Sequence, residues 1–217
     1  MRNPFSEAFQ FLFSTTVNGR WPIYFFILLA VASIVIALFN LKRDPTQRTA
    51  SFVYFWIARF FIGALWFQQS LWKMPPTFTD KPDGSGGLRY WMTEMSQYAA
   101  LGVQRSFVTN TVLPHFKFFG YQVWAVETFI AISLLLGVFT RLGGLLGALM
   151  AFNLWLGLYN APHEWPWTYF FLVLLMCFFI FTRAGRALGL DASIAQRAEA
   201  VNGKRRGLIL RAIAFFS

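Results

Sequence analysis

The feature that most constrains this chain is a series of five apolar stretches. They cover residues 22–41, 52–71, 121–139, 142–159 and 165–182. About twenty apolar residues in an α-helix cross the hydrocarbon core of a bilayer. Because backbone N–H and C=O groups find no water there, such stretches must fold as helices. The sequence therefore predicts an all-α integral membrane protein that crosses the bilayer five times.

The composition supports a membrane protein and argues against a nucleic-acid partner. The chain is 57% hydrophobic and only 13% charged, and a soluble domain would need more charge to cover its surface. The net charge of +10 lies mainly beside apolar stretches and in the C-terminal tail. Basic residues placed there set the topology and attract anionic lipid headgroups. We therefore expect the lipid bilayer, rather than DNA or RNA, as the charged partner.

The chain divides into three parts. Residues 1–51 form an interfacial segment and an anchor helix, residues 52–191 form the helical core, and residues 192–217 form a basic interfacial tail. Residues 74–120 are the long connection in the core and carry amphipathic, aromatic-rich pieces, so we expect them to lie on the outer membrane surface as a lid. The larger share of Lys and Arg lies on the side of the tail. The positive-inside rule then predicts a cytoplasmic C-terminus, with the N-terminus and the lid outside. We expect the membrane to be a bacterial or archaeal cytoplasmic membrane.

The second apolar stretch carries polar residues on one helix face. Arg59, Gly63, Trp66, Ser70 and Lys73 follow a 4-3-4-3 spacing, which places them on one side of a helix. A charged side chain within a membrane helix is costly unless it faces protein or a watery cavity. This face is therefore predicted to point into the helix bundle.

The third apolar stretch contains a single acid, Glu127. With 1.5 Å of rise per residue and a core about 30 Å thick, Glu127 and Arg59 are staggered by roughly 10 Å along the membrane normal. A direct pair between them would need tilted or shifted helices. Lys73 and Arg89, which lie nearer the outer surface, are easier partners for the carboxylate.

These residues predict a polar pocket near the outer face. Its expected lining is Glu127, Lys73 and Arg89, with His115 or His163, under a roof of lid aromatics. Such a pocket would hold a quinone head or a small anion, with Glu127 as the catalytic proton carrier. The alternative is a buried ion pair that only fixes the register of two helices. The sequence leaves both interpretations open.

Arg59 has two interpretations as well. It either binds an anionic group or donates hydrogen bonds to free carbonyls and to Asn153 in the fourth stretch. No sequence motif for haem, an iron–sulfur cluster, a dinucleotide or another metal site is visible. Any electron transfer is therefore expected to pass directly between bound substrate and bound quinone, or through a partner subunit.

Three segments carry a family resemblance. RFFIGALWFQQSLWK from Arg59, ETFIAISLLLGVFTRLGG from Glu127 and FTRAGRALGLD from Phe181 resemble the DoxX superfamily, and in particular the DoxD-like small subunit of thiosulfate:quinone oxidoreductase. The resemblance covers about residues 52–191 and leaves out the first stretch and the tail. It implies a four-helix transmembrane core, here with one extra N-terminal transmembrane helix.

The resemblance also implies a function. The leading hypothesis is a membrane subunit of a quinone-linked oxidoreductase that acts on thiosulfate or a related small sulfur anion, with a partner subunit. Lys73 and Arg89 would attract the anion, Glu127 would exchange protons, and Arg59 and Asn153 would complete the substrate or quinone pocket. The alternative is a non-catalytic accessory subunit that docks a larger membrane redox or energy-converting complex. A small-molecule carrier is a third hypothesis, which the odd number of spans disfavours.

Overall fold

A computed structural model of the protein describes residues 3–13, 19–200 and 215. Its α-helices in chain order are α1 Pro4–Phe13, α2 Trp21–Arg43, α3 Ala50–Trp72, α4 Leu88–Tyr98, α5 Gly102–Phe107, α6 Phe116–Leu136, α7 Thr140–Gly157, α8 Pro166–Thr182 and α9 Leu190–Ala200. Short 3₁₀ or π turns follow α2, α5 and α8. These described residues contain no β-strand, so the prediction of an all-α membrane protein is confirmed.

Five of the helices, α2, α3, α6, α7 and α8, occupy the five predicted apolar stretches. Three of them, α2, α3 and α6, are long and apolar enough to cross a bilayer. The other two are shorter, with 18 residues in α7 and 17 in α8. The chain is therefore a multi-pass membrane protein, and the count of five crossings stays a prediction.

The bundle has two ends, which we name by their connections. Helices α3 and α7 end, and α6 and α8 begin, at the lid end, beside the connection formed by α4 and α5. The opposite end, the turn end, holds the tight connection between α6 and α7 and the start of α9. A small apolar core around Phe78, Met92 and Val112 of the lid also includes Leu158 at the end of α7, so the lid packs onto the bundle as a folded cap.

Close helix contacts depend on small residues. Gly63 brings α3 against α6, where a Cβ atom would lie 2.9 Å from the backbone nitrogen of Leu135. Gly144 brings α7 against α8, where a Cβ atom would lie 3.0 Å from the carbonyl oxygen of Met176. The predicted inward face of α3 is confirmed, because the five residues that define it are all buried: Arg59, Gly63, Trp66, Ser70 and Lys73.

The first membrane helix, α2, packs on the outside of α3 and α6. Its buried residues recur every three or four positions, as a single stripe requires: Pro22, Phe26, Leu29, Ser33, Ala37 and Asn40. Polar contacts fix its register: Trp56 Nε1 on α3 donates to Ser33 Oγ at 3.2 Å, and Asn40 Nδ2 donates to the carbonyl oxygen of Gly189 at 3.0 Å. This arrangement agrees with the expected anchor helix beside a four-helix core.

The connection between α2 and α3 is held at the turn end. The Thr46 hydroxyl and amide both donate to the exposed Asp44 carboxylate, which lowers the pKa of that carboxyl. The buried side chain of Gln47 accepts the backbone N–H of Leu188 at 2.8 Å. Of the predicted basic interfacial tail, residues 192–200 belong to α9. The rest of the tail, including Lys204–Ser217, lies outside the described residues except for Phe215, whose carbonyl accepts from Arg141.

Candidate functional site

A cavity of about 450 Å³ lies between the lid and the lid end of the bundle. Its walls are mostly apolar, and the lid contributes Trp91, Met92, Met95 and Phe107. The polar side chains that line it are Gln69, Lys73, Gln104, Glu127, Asn153 and Tyr169. A space of this size, with apolar walls and a few convergent polar groups, is typical of a small-molecule site. A cavity therefore lies beneath lid aromatics, where the pocket was expected, but its walls are mostly apolar and contain only part of the expected lining.

The wall formed by α3 and α6 carries a buried ion pair. Lys73 is the residue after the last turn of α3, and its Nζ donates to Glu127 Oε1 on α6 at 2.5 Å. Glu127 is 1% exposed and Lys73 is 6% exposed. The ammonium group also lies 4.7 Å from the centre of the Trp72 ring. Of the two partners of Glu127 expected from depth, Lys73 and Arg89, it is Lys73 that forms the pair.

The second carboxylate oxygen of Glu127 has no partner in the ion pair. Glu127 Oε2 is buried and has no hydrogen-bond partner among the described residues. A carboxylate that only fixes helix register would have both oxygens satisfied, since an unmet buried acceptor is costly. Glu127 lies in the wall of the cavity, and its second oxygen is covered by the surrounding side chains. The catalytic role of Glu127 stays a prediction.

The opposite wall joins the lid to α7. Gln104 Nε2 on α5 donates to the side-chain Oδ1 of Asn153 at 2.9 Å and to its backbone oxygen at 3.1 Å. Asn153 was expected to serve the pocket, and it lines the cavity. Gln104 and Tyr169 were missed by sequence reasoning, because a polar residue in an irregular lid and a tyrosine in an apolar helix carry no distinctive pattern.

Arg59 lies apart from the cavity, near the turn end. Its guanidinium group donates to the carbonyls of Leu134 at 2.6 Å, Leu135 at 3.4 Å and Ala187 at 3.2 Å. Leu134 is seven residues beyond Glu127, or about 10 Å along α6, so the predicted stagger is confirmed. Of the two interpretations of Arg59, the hydrogen bonds to free carbonyls are observed, and Asn153 is not among its partners.

The Arg59 guanidinium also explains the residue that ends α6. Gly137 has a φ of +65°, the left-handed conformation that terminates many helices. A Cβ atom at this position would collide with the guanidinium. Both the backbone conformation and the close approach therefore require glycine.

Arg89 does not line the cavity. Its side chain is exposed on the lid, with the guanidinium 4.3 Å from the centre of the Phe116 ring. Its backbone N–H donates to Asp80 Oδ1 at 2.9 Å near the start of α4. His115 and His163 are exposed and are not part of the lining either. The amphipathic α4 faces the cavity with its apolar side, and this orientation places Arg89 on the outer surface.

A second buried acid lies at the turn end. Asp191, at the start of α9, accepts the backbone N–H groups of Phe139 and Thr140 at 2.8 and 3.1 Å, and the Thr140 hydroxyl at 2.7 Å. The same hydroxyl accepts the Gly185 N–H at 3.0 Å. These contacts tie α9 to the first turn of α7. Sequence reasoning missed them because the partners are separated by about fifty positions.

The described residues contain no group of three or more His, Cys, Asp or Glu side chains that could hold a metal ion. The polar chemistry of the cavity therefore comes from one ion pair, three amide side chains and a phenol. The phenol is engaged, since Tyr169 donates its hydroxyl hydrogen to Glu164 Oε2 at 2.8 Å.

Comparison with protein families gave a match that covers most of the chain. The family described as TQO small subunit DoxD matches residues 54–216, which is most of the chain. The match begins within α3, so α2 lies outside it, as the resemblance suggested. It continues through the tail, which the resemblance had left out. Comparison with curated proteins and with solved structures gave no significant match.

Proposed function

The chain belongs to the DoxD family of TQO small subunits, and from this premise we propose that it is the quinone-binding membrane subunit of a thiosulfate:quinone oxidoreductase. The cavity beneath the lid would hold the quinone head. A partner subunit, which the description as a small subunit implies, would bring the sulfur anion. The positive-inside rule supports an outer lid and a cytoplasmic C-terminus in a bacterial or archaeal cytoplasmic membrane.

One observation carries this proposal: the cavity combines apolar walls with a single buried carboxylate that has a free oxygen. Apolar and aromatic side chains such as Trp91, Met95 and Phe107 suit a flat, uncharged ring. The cavity would bind a sulfur dianion poorly, because Lys73, the cation among the described lining residues, is already paired with Glu127. We therefore assign the cavity to the quinone.

The proposed reaction needs a proton carrier at the ring. Two thiosulfate anions that join through a new sulfur–sulfur bond release two electrons, and one quinone takes up these two electrons and two protons to give the hydroquinone. Glu127 would relay protons to the ring oxygen through its free Oε2. Lys73 would hold the carboxylate in place and balance its charge. Neither residue carries electrons, so these must reach the ring from the sulfur substrate or through the partner subunit.

The predicted roles of the other polar residues change with their positions. Arg89 would attract the anion to the outer surface of the lid, where its guanidinium is exposed. Asn153 would orient Gln104 at the cavity wall. Arg59 would support the bundle at a distance from the ring.

The test is reduction of a short-tailed ubiquinone analogue with thiosulfate by the purified complex. Replacing Glu127 by Gln should lower the rate by about a hundredfold, the usual effect of losing a positioned proton carrier. The matched control is Glu94→Gln, since Glu94 lies on the lid but does not line the cavity. An unchanged rate in a folded Glu127→Gln complex would reject the proton-carrier role.

The surface of the lid favours a second function, that of an accessory subunit. Val103 is 83% exposed and Phe118 is 67% exposed, and apolar groups of this size on a lid suit either headgroups or a docked protein. A stoichiometric partner that keeps full quinone reductase activity when the cavity of this chain is blocked would favour the accessory role over the catalytic one.

A further inference from the structure

The mouth of the cavity is marked by the lining residues that are exposed. Among the described residues that line it, Phe107 on α5 is 51% exposed and Asn153 on α7 is also exposed, whereas the rest are buried or half-buried. Gln104, on the same helix as Phe107, donates to Asn153. The centre of the Phe107 ring lies 6.1 Å from the centre of the Phe119 ring on α6. Helix α5 therefore bridges α6 and α7, and the cavity reaches the surface beneath it, in the cleft between these two helices.

This cleft follows from the way in which α6 and α7 are joined. The two helices are in contact near the turn end, where a Cβ atom at Gly143 on α7 would collide with the side chain of Ser133 on α6. Nearer the lid end, Val123 on α6 and Met150 on α7 both line the cavity. The cavity therefore separates the two helices at the lid end, although they touch at the turn end.

The exposed face of α7 runs along the bundle and into the mouth. Leu145, Leu149 and Phe152 are all exposed, and none of the three lines the cavity. Apolar side chains on the outside of a membrane helix suit contact with lipid. Asn153 follows Leu149 by four positions, so the two residues lie on the same face of α7. Asn153 thus lies at the edge where the lipid-facing side of α7 meets the cavity.

The mouth lies a short distance inside the lid end. Asn153 comes four residues before Gly157, the last residue of α7, or about 6 Å along the helix axis. Tyr159, Trp165 and Trp167 follow at the lid end and are exposed. Exposed tyrosine and tryptophan are typical of the boundary between headgroups and hydrocarbon. The mouth is therefore at the depth where the hydrocarbon of the outer leaflet begins.

From these positions we infer that the mouth opens sideways into the bilayer, and that the cavity takes the head of a membrane amphiphile. The apolar chain of this ligand stays outside the cavity and lies along Leu149 and Leu145 of α7. That the head is a quinone rests on the proposed function. The buried Leu88, Met92 and Met95 close the cavity on the side of the lid, so a molecule dissolved in water meets the lid first.

The first experiment measures the surroundings of the mouth in liposomes of phosphatidylcholine and phosphatidylglycerol. A nitroxide spin label is attached to the variant Asn153→Cys, in a chain whose single cysteine, Cys177, is replaced by Ala. Leu149→Cys is the lipid-facing control, and Ser85→Cys, in the exposed loop before α4, is the water-facing control. We expect the label at Asn153→Cys to be relaxed by oxygen, which concentrates in lipid, and not by a water-soluble nickel chelate. Relaxation by the nickel chelate, as at Ser85→Cys, would show that the mouth opens to water and would overturn the inference.

The second experiment locates the chain of the bound ligand. Decylubiquinone that carries a diazirine at the end of its chain is added to the full chain in the same liposomes and photolysed, and labelled peptides are identified by mass spectrometry. We expect labelling of residues 142–152 of α7, which excess unlabelled decylubiquinone abolishes. Asn153→Phe fills the mouth and should reduce this labelling by about tenfold. The matched control is Leu174→Phe, on the exposed face of α8, which should label like the wild type.

The outcomes separate this inference from the proposed function. Competed labelling of residues 77–87 or of the outer surface of the lid would overturn the path of the chain but leave a quinone site in place. Equal labelling of Asn153→Phe and the wild type would overturn it as well. Absence of any competed labelling would reject the quinone, and with it the proposed function. The spin label at Asn153→Cys would then still decide whether the mouth opens to lipid.

Discussion

Replacing Arg59 by Met tests whether the fold depends on the guanidinium at the turn end. Arg59 is wholly buried and donates to carbonyls of Leu134, Leu135 and Ala187. The first two belong to the last turn of α6, whose carbonyls lack partners within the helix. Without the guanidinium, these oxygens face apolar side chains. We therefore expect a large loss of stability from a change that leaves the cavity intact.

The size of the loss follows from the hydrogen bonds. A hydrogen bond to a charged group contributes about 1.5–3 kcal/mol. The contacts to Leu134 and Ala187, at 2.6 and 3.2 Å, count fully, whereas the contact to Leu135 at 3.4 Å is weak. Two bonds give about 3–6 kcal/mol. Methionine avoids the cost of burying a charge, which offsets part of this sum. The free energy of unfolding should fall by about 2–4 kcal/mol.

The assay is equilibrium unfolding of the purified protein in mixed micelles, followed by circular dichroism. Arg43→Met is the matched control, because Arg43 is exposed at the end of α2, and it should change stability by less than about 0.5 kcal/mol. Arg59→Lys should lie between the two, since an ammonium is a point donor and cannot serve both α6 and Ala187. If Arg59→Met and Arg43→Met unfold alike, the guanidinium does not stabilise the turn end and the reasoning is wrong.

Three further predictions concern other buried contacts, each measured by the same unfolding assay. Thr140→Val should lower stability by about 1–3 kcal/mol, because it removes a hydroxyl that donates to Asp191 and accepts from the chain before α9; a neutral effect would contradict this. Gly63→Ala should lower the free energy of unfolding by about 1–3 kcal/mol, because the added methyl group would collide with the α6 backbone. If the variant is as stable as the wild type, the close contact between α3 and α6 does not require glycine. Lys73→Met should lower the free energy of unfolding by about 3–5 kcal/mol, because it leaves the Glu127 carboxylate buried without a counter-charge. Combining Lys73→Met with Glu127→Gln should recover much of that loss. A double variant no more stable than Lys73→Met would show that the carboxylate is not what destabilises the single variant.

Much of the architecture could be predicted from the sequence, because its signals are local. Apolar length gave the membrane helices, and the 4-3-4-3 spacing gave the inward face of α3 from Arg59 to Lys73. Depth along each helix then paired Glu127 with Lys73 rather than with Arg59. Each of these inferences uses only the fixed rise and periodicity of an α-helix.

The other part of the site depends on how the lid folds back. The exposed position of Arg89 and the contact between Gln104 and Asn153 are set by the packing of α4 and α5, which local pattern does not encode. The same holds for Asp191, whose partners are about fifty positions away. Contacts of this separation form only when whole elements dock.

The sequence by itself therefore determined which stretches are apolar enough for the membrane and which helix faces point inward. Polar groups that face lipid raise the free energy of the protein, so they must face the interior of the bundle. Only the tertiary structure decided that Glu127 keeps one free oxygen at the wall of a cavity. The ion pair joins the end of α3 to α6, and the cavity beside it is closed by the lid. Both depend on side-chain packing across several helices, which no single stretch of sequence specifies.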